Sequence, residues 1–213
     1  SESFFSIITP YFIDKNYFKL ISSNSDFLIV DNFYLKQRAS IYNNKVFVLN
    51  GPVKIPEFKV NKFINKTYNV GWIGSESTFF YLLNIKESLL KLDPNKFELT
   101  ILGVKDISSK YSKMFQPLKV TFKDYNNYNM SEQLKDIDIG LYPLDLSELS
   151  EGRGSLKAMV YSSNSIPCIA SKSESNINLF TENINILFAS SDNWSELISG
   201  TSQYEFNKIR TNA

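Results

Sequence analysis

Two short segments contain the residues whose types and spacing suggest chemistry. Residues 70–75 (VGWIGS) are an apolar run that ends in a glycine turn, and residues 151–157 (EGRGSLK) are a basic glycine turn that leads into a helical pattern. Gly74 permits a ligand to approach the backbone closely, and the helix start that follows it would offer N–H groups to an anion. Arg153 and Lys157 would supply two fixed cations. Together the two segments predict a site for a diphosphate.

The positions of the two cations bear on whether this site binds a ligand. Arg153 and Lys157 are four residues apart, so both would lie on one side of the first turn of a helix. Cations at a helix N-terminus oppose the macrodipole at a cost of roughly a few tenths of a kcal/mol or more. A diphosphate would offset that cost, with arginine as a bidentate fork and lysine as a mobile charge. A solvated basic turn that pairs with Glu148 or Glu151 is an equally good interpretation, and residues 74–77 taken alone favour an ordinary strand-to-helix turn.

Other positions near these turns are candidate contacts for the same ligand. Asp145, Glu148 and Glu151 form an acidic group from which one carboxylate could accept hydrogen bonds from a sugar hydroxyl, or the group could face solvent. Residues 126–129 (NNYN) are a candidate loop for contact with a base. Apart from the two cations, the predicted binding positions are Gly74, Ser75, Glu76, Gly103, Val104, Tyr142, Pro143, Glu151, Gly152, Gly154 and Ser155.

Composition excludes several classes of function. The 213 residues include no histidine, so Ser-His-Asp or Cys-His catalysis within the chain and histidine-ligated metals are excluded, and we predict neither a metal site nor a cofactor. The formal net charge is +1, so no global field attracts nucleic acid. Cys168 is the single cysteine and lies in an apolar run, which predicts a buried strand residue and a reducing, cytoplasmic compartment. No apolar run approaches the roughly 18–20 residues of a membrane span. Peripheral contact with the inner face of a membrane stays open.

The elements that must position these residues alternate between short apolar strands and helical segments. The pattern predicts strands at 68–73, 97–102, 118–122, 137–142, 167–170 and 186–189, and helices at 77–92, 109–115, 131–135, 155–163, 175–180 and 192–199. Such alternation is typical of an α/β fold with a doubly wound parallel sheet, in which ligands bind beyond the carboxyl ends of the strands. Both segments of interest lie at this edge of the predicted sheet.

The first part of the chain has a different pattern. It contains predicted strands at 27–30 and 46–49 around a helix at 34–41, which is too little for an independent domain with its own layered sheet. We therefore expect residues 1–60 to be the end of a preceding domain with its linker, and residues 61–213 to be a Rossmann-like ligand-binding domain.

In this context the motifs resemble a known family. Residues 71–75 (GWIGS) are similar to the opening of the second domain of retaining GT-B glycosyltransferases of the "group 1" kind. Residues 138–144 (DIGLYPL), 152–157 (GRGSLK) and 166–171 (IPCIAS) follow that family's later pattern in order and spacing, and the resemblance covers residues 25–200. It implies two Rossmann-like domains that face a cleft. The second domain would bind the nucleotide-diphosphate-sugar donor, and a preceding domain would bind most of the acceptor, a glycan, a lipid or a protein.

The resemblance also implies roles for individual residues. Gly74 and Ser75 would lie against the diphosphate, and Arg153 and Lys157 would bind it as the catalytic residues. The two cations would offset the charge on the departing nucleoside diphosphate without a metal ion.

Three positions depart from the family's pattern. Val160 stands where many members have a glutamate that holds the donor ribose, residues 163–165 (SNS) stand in place of Ala-x-Gly, and Glu151 is one position away from the usual upstream acidic residue. We therefore expect the donor-binding domain of a hexosyltransferase that is inactive as an isolated piece. A non-catalytic module that binds a nucleotide sugar or a partner is the alternative. A nucleotide-sugar epimerase is disfavoured, because those enzymes typically use acid–base side chains, often histidine, which this chain lacks.

Overall fold

The feature that positions the predicted site is the carboxyl edge of a parallel sheet. The computed structural model describes residues 16–56, 67–106, 110–125 and 130–200. The chain divides into two compact units, residues 1–50 and residues 51–213, and each is described by itself. The boundary expected from the sequence, at residue 60, lies outside the described residues.

The first unit contains a small parallel sheet. Its elements are α1 (Tyr17–Asn24), β1 (Leu28–Val30), α2 (Phe33–Ser40) and β2 (Val46–Val48), and β1 pairs with β2 in parallel. Asn32 caps α2, because its side-chain oxygen accepts a hydrogen bond from the Leu35 N–H at 2.8 Å. The two predicted strands and the helix between them are confirmed. Helix α1 was not predicted, and its large apolar side chains are exposed rather than gathered on a buried face.

The second unit contains a six-stranded parallel sheet in the order β5-β4-β3-β6-β7-β8. The strands are β3 (Tyr68–Ile73), β4 (Phe97–Leu102), β5 (Lys119–Lys123), β6 (Ile139–Tyr142), β7 (Cys168–Ser171) and β8 (Leu187–Ala189). The helices are a 3-10 turn (Glu76–Thr78), α3 (Phe79–Asn84), α4 (Lys86–Leu89), α5 (Lys110–Met114), α6 (Met130–Leu134), α7 (Glu148–Glu151), α8 (Leu156–Ser163), α9 (Glu174–Leu179) and α10 (Trp194–Gly200). The predicted doubly wound α/β fold is therefore confirmed.

The strand order reverses between β3 and β6. The chain runs outward from β3 through β4 to β5, and then returns to place β6 on the other side of β3. This reversal is the switch point at which open α/β sheets leave a crevice for ligands. The glycine turn follows β3 and the basic turn follows β6, so the topology brings the two segments to the same point.

Local patterns predicted most of these elements correctly. Strands β3 and β4 have the predicted bounds, because each is a mainly apolar run that ends directly before a glycine. The predicted single helix at 77–92 is wrong. It is a 3-10 turn followed by α3 and α4, and the helical geometry is interrupted at Ile85, whose backbone has φ −103° and ψ 10°.

Apolar side chains cover both faces of this sheet. Successive strand residues enter two separate buried clusters, one around Trp72, Leu99 and Ile101 and the other around Leu102 and Tyr161. Five of the six strands are buried on both sides, as is usual in parallel sheets, and β5 at the edge is partly exposed. The prediction that Cys168 is buried is confirmed, with an exposed fraction of 1%, and Trp72 and Tyr142 are buried as well, with exposed fractions of 1% and 5%.

Candidate functional site

A cavity of about 460 Å³ opens at the carboxyl edge of the sheet, where β3 and β4 end and α8 begins. Five of the predicted site residues line it, Gly74, Ser75, Gly103, Arg153 and Lys157. The other lining residues are Ile73, Thr78, Tyr125, Met130, Leu156 and Val160. The structure therefore brings the glycine turn and the two cations to one concave surface.

The glycine wall is built from tight backbone contacts. A Cβ atom on Gly74 would lie 1.9 Å from Cη2 of Trp72, so only glycine fits over the indole ring. Gly103 has a φ of +91°, and a Cβ atom there would lie 2.1 Å from the carbonyl oxygen of Gly74. Side chains are thus excluded from this wall by close packing as well as by backbone conformation.

The hydrogen bonds of this turn differ from those expected. The Gly74 N–H donates to Leu102 O at 3.0 Å, and the Ser75 N–H donates to Thr78 Oγ1 at 3.0 Å, so neither N–H group is available to an anion. The first helical bond is donated by the Thr78 N–H to Ser75 O at 2.9 Å. Only the N–H groups of Glu76 and Ser77, which come before that bond, can serve as the expected donors.

The basic wall is held by hydrogen bonds to its backbone. Tyr142 Oη donates to Gly154 O at 2.9 Å, and Ser175 Oγ donates to Arg153 O at 2.8 Å. These bonds tie the turn to β6 on one side and to α9 on the other. Tyr142 was predicted as a ligand contact, but its hydroxyl instead positions the turn.

Arg153 contacts a buried tyrosine. Its Nε donates to Tyr81 Oη at 3.2 Å, and its Cζ lies 5.4 Å from the centroid of the Tyr81 ring. Among the described residues, no carboxylate lies within ion-pair distance of Arg153 or of Lys157. The alternative in which the basic turn pairs with Glu148 or Glu151 is therefore wrong for the part of the chain described.

Lys157 is a partly buried cation on an aromatic ring. Its Nζ lies 5.0 Å from the centroid of the Trp72 ring, a cation–π arrangement. Burial lowers the pKa of Lys157 to about 8, and the positive charge of Arg153 contributes to this change. An anion bound between the two cations would raise the pKa of Lys157 again. Its negative charge would compensate for the lost solvation and would offset the repulsion between the two positive charges.

The remaining predicted site residues lie behind the cavity wall or outside it. Glu76 is exposed beside the wall, and Val104 and Pro143 are buried in the core. Glu151 is engaged elsewhere, because its Oε2 accepts a hydrogen bond from the Glu174 N–H at 2.8 Å at the start of α9. Gly152 and Gly154 belong to the turn itself and do not line the cavity.

Ser155 lies at the first turn of α8 and is buried. It is the N-cap of that helix, and its Oγ has no hydrogen-bond partner among the described residues. A buried hydroxyl without a partner is uncommon. It adjoins the basic turn without lining the cavity.

Sequence reasoning missed the apolar part of the cavity. Tyr125, Met130 and Leu156 line it together with Val160, which was noted only as a departure from the family's pattern. The same four residues line a neighbouring cavity of about 440 Å³ that also includes Lys54 and Asn164. Tyr125 directly precedes the predicted base-contacting loop, residues 126–129, which lies outside the described residues. The position of Tyr125 next to that loop is the one feature of the sequence that could have indicated this part of the cavity.

The described residues include no cluster of three or more His, Cys, Asp or Glu side chains arranged to hold a metal ion. None of the helices in the described ranges combines the length and apolarity needed to cross a bilayer.

Comparison with solved structures shows the fold. HepE from Anabaena, in complex with UDP-glucose, superposes with a TM-score of 0.73 at 12% identity over 97% of this chain. TarM from S. aureus gives 0.64 at 17% identity over 94%, and the lipopolysaccharide outer core galactosyltransferase WaaB gives 0.64 at 16% identity over 88%. These neighbours are glycosyltransferases, and the chain has their GT-B, Rossmann-like fold.

The similarity concerns structure and not sequence. No protein-family model matches the sequence, and comparison with curated proteins finds no significant match. The chain spans 64% of the HepE chain, 42% of the TarM chain and 57% of the WaaB chain.

Proposed function

We propose that this chain, which has the GT-B glycosyltransferase fold, binds the nucleotide-diphosphate-sugar donor of a glycosyl transfer reaction. The observation that carries the proposal is the pair of cations, Arg153 and Lys157, which face one cavity with the Gly74 turn and have no carboxylate partner among the described residues. A positively charged side chain that is partly desolvated and has no negatively charged partner costs free energy, and a bound anion offsets that cost. A diphosphate has two negatively charged phosphate groups, one for the planar guanidinium fork of the arginine and one for the ammonium group of the lysine.

The electrostatic role of the site follows from the reaction. When the bond between the sugar and the diphosphate breaks, negative charge accumulates on the departing phosphate. Arg153 and Lys157 would stabilise that charge more strongly than the charge of the intact donor, which is the condition for lowering the barrier. Since both cations are pre-positioned by the turn, little reorganisation accompanies the step.

The structural neighbours support a donor of this class. HepE structures contain UDP with glucose, or UDP-glucose, and a TarM structure contains UDP. We extend the nucleoside diphosphate to this chain and propose an acceptor, a glycan, a lipid or a protein, that is bound mainly by a preceding domain. The hexosyl type, the cytoplasmic location with peripheral contact to a membrane, and catalysis without a metal belong to the same proposal.

A non-catalytic module that binds a nucleotide sugar is the second candidate. The lining of the cavity favours it in one respect, because Val160 presents an apolar side chain and none of the described lining residues is a carboxylate. Such a module would keep the diphosphate contacts and lose the contact with the ribose. Transfer activity of the full-length protein that disappears with Lys157→Ala would reject this candidate.

Calorimetric titration of the chain with UDP, GDP, UDP-glucose and GDP-mannose tests the donor site. We expect selective binding that Arg153→Ala/Lys157→Ala weakens at least about a hundredfold, since two charge-assisted contacts are lost. The matched control is Lys91→Ala/Lys96→Ala, which removes the same charge from two exposed residues near the start of β4, at the opposite edge of the sheet. Equal affinity of the wild type and the Arg153/Lys157 variant for every nucleotide would refute the proposal.

A further inference from the structure

The side chain of Arg153 is connected through two buried hydroxyl groups to the exposed carboxylate of Asp145 by a line of hydrogen bonds. Arg153 Nε donates to Tyr81 Oη at 3.2 Å, and Tyr81 Oη lies 2.7 Å from Ser150 Oγ. Ser150 Oγ donates in turn to Oδ1 of Asp145. Tyr81 and Ser150 are both buried, with exposed fractions of 3% and 0%. Four side chains from two separate segments, the helix of Tyr81 and residues 145–153, therefore form one continuous line of hydrogen bonds that ends at the guanidinium group.

The far end of this chain is an ionised carboxylate. Asp145 Oδ1 also accepts hydrogen bonds from Ser147 Oγ at 2.7 Å and from the Ser147 N–H at 3.1 Å. The hydrogen bond from Ser150, together with those from Ser147, lowers the pKa of Asp145. Because Tyr81 Oη accepts from Arg153 and Ser150 Oγ donates to Asp145, the two intervening hydroxyl groups donate in the same direction, toward the carboxylate.

The arrangement explains how Arg153 can be held without an ion pair. A carboxylate in direct contact would occupy the two Nη atoms, which form the fork that binds a phosphate. Here Tyr81 takes the Nε–H group, so this hydrogen bond does not use the Nη atoms, and Arg153 lines the cavity. The ring of Tyr81, whose centroid lies 5.4 Å from Arg153 Cζ, further restricts the movement of the guanidinium group.

Tyr81 also joins the two walls of the site. It belongs to α3, which begins directly after the glycine turn and its 3-10 helix, whereas Arg153 belongs to the basic turn after β6. The hydrogen bond to its hydroxyl therefore fixes the distance between Arg153 in the basic wall and helix α3, which follows the glycine wall. Nothing in the local sequence around Tyr81 distinguishes it from a core aromatic residue.

We propose that Tyr81 is a positioning residue that, with Ser150 and Asp145, fixes the guanidinium of Arg153 for a diphosphate. The inference rests on the proposed function for its ligand and on the observed hydrogen bonds for its geometry. This line of hydrogen bonds from Arg153 through Tyr81 and Ser150 to Asp145, here called the relay, orients Arg153 and compensates its charge at a distance. The cation is thus in position for the ligand before binding.

The binding test compares two tyrosine variants of the chain. Tyr81→Phe keeps the ring and removes the hydroxyl, and we expect it to weaken UDP binding by about tenfold, the effect of losing a hydrogen bond to a charged group. Tyr161→Phe is the matched control, because Tyr161 is equally buried and its hydroxyl donates to Gly71 O at 3.1 Å, away from Arg153. The control should change UDP affinity by less than about twofold. Equal affinities for Tyr81→Phe and the wild type, or equal losses in both variants, would overturn the proposal.

A second measurement does not depend on nucleotide binding. The chain contains three arginines, Arg38, Arg153 and Arg210, so the Nε–H signal of Arg153 can be assigned in a nitrogen-15 spectrum by its loss in Arg153→Lys. We expect Tyr81→Phe and Ser150→Ala to shift this signal and to speed its hydrogen exchange, and Tyr161→Phe to leave both unchanged. An unchanged signal in Tyr81→Phe would show that the relay does not hold Arg153.

The two proposals fail in different ways. If Arg153→Ala/Lys157→Ala abolishes UDP binding but Tyr81→Phe changes neither affinity nor the Arg153 signal, the relay is wrong and the donor site stands. If the Arg153 signal responds to Tyr81→Phe while nucleotide affinity is the same in the wild type and the double variant, the relay exists and the assignment of its ligand is wrong.

Discussion

Replacing Lys157 with methionine should stabilise the folded protein at neutral pH while removing one of the two proposed diphosphate contacts. The lysine Nζ lies 5.0 Å from the centroid of the Trp72 ring, and burial together with the charge of Arg153 lowers the pKa of Lys157 from 10.5 to about 8. Methionine is similar in length, packs well against aromatic rings and carries no charge. The substitution therefore keeps the packing and removes the partly desolvated cation.

The sign and size of the effect follow from proton linkage. The unfolded chain holds the Lys157 proton more tightly than the native chain, so the free energy of unfolding rises with pH between about 8 and 10.5 and the full penalty applies below that window. The difference between 10.5 and about 8, at ~1.36 kcal/mol for each pH unit, corresponds to roughly 3 kcal/mol. Because the side chain is partly exposed, solvent screening reduces the expected gain to about 1–2 kcal/mol.

Urea denaturation of the wild type and Lys157→Met at about pH 7 and about pH 10 measures this gain. We expect the variant to be more stable at the lower pH and the difference to shrink at the higher pH, where the wild-type amine is neutral. Saturating UDP should stabilise the wild type and have little effect on the variant. Lys91→Met, an exposed substitution, should change stability by less than about 0.5 kcal/mol. A variant that is less stable at pH 7, or equally stabilised at both pH values, would refute the reasoning.

Three further substitutions test other features of the site and of the helix α8. Ser165 has a φ of +56° after the end of α8, a conformation that favours glycine, so Ser165→Gly should raise the free energy of unfolding by about 1 kcal/mol. Ser163→Gly, inside the helix, should lower it by a similar amount, and a loss in both would contradict this account. Val160→Glu places a carboxylate in the cavity wall, so the preference for UDP over 2′-deoxy-UDP should increase by about tenfold in competition titrations. An unchanged ratio would show that the ribose does not lie at Val160.

The fold was largely predictable because its signals are local. The bounds of β3 and β4 follow from mainly apolar runs between turn residues, and the alternation of strands with helices implies a parallel sheet. The break at Ile85 was not predictable in this way. Its neighbours keep an apolar pattern that is compatible with one long helix, and the interruption is visible only in the backbone angles.

The candidate site was predictable in part. Gly74 and Arg153 could be identified because a glycine turn after a strand and a cation at a helix start have physical consequences within a few residues. Glu151 shows the limit of that reasoning. As a carboxylate beside a basic turn it was a candidate ligand contact, but its Oε2 accepts a hydrogen bond from the Glu174 N–H, a partner 23 residues away.

The sequence by itself determined which residue types stand at the ends of the strands, because turn chemistry, helix starts and apolar periodicity act over short stretches of chain. Only the tertiary structure decided which of those ends meet. The return of the chain to place β6 beside β3 brings the basic turn to the glycine turn, and it brings Arg153 to Tyr81, which is 72 residues away. Strand order and side-chain partners of this kind depend on the packing of the whole sheet, since the inner strands must be buried on both faces at once.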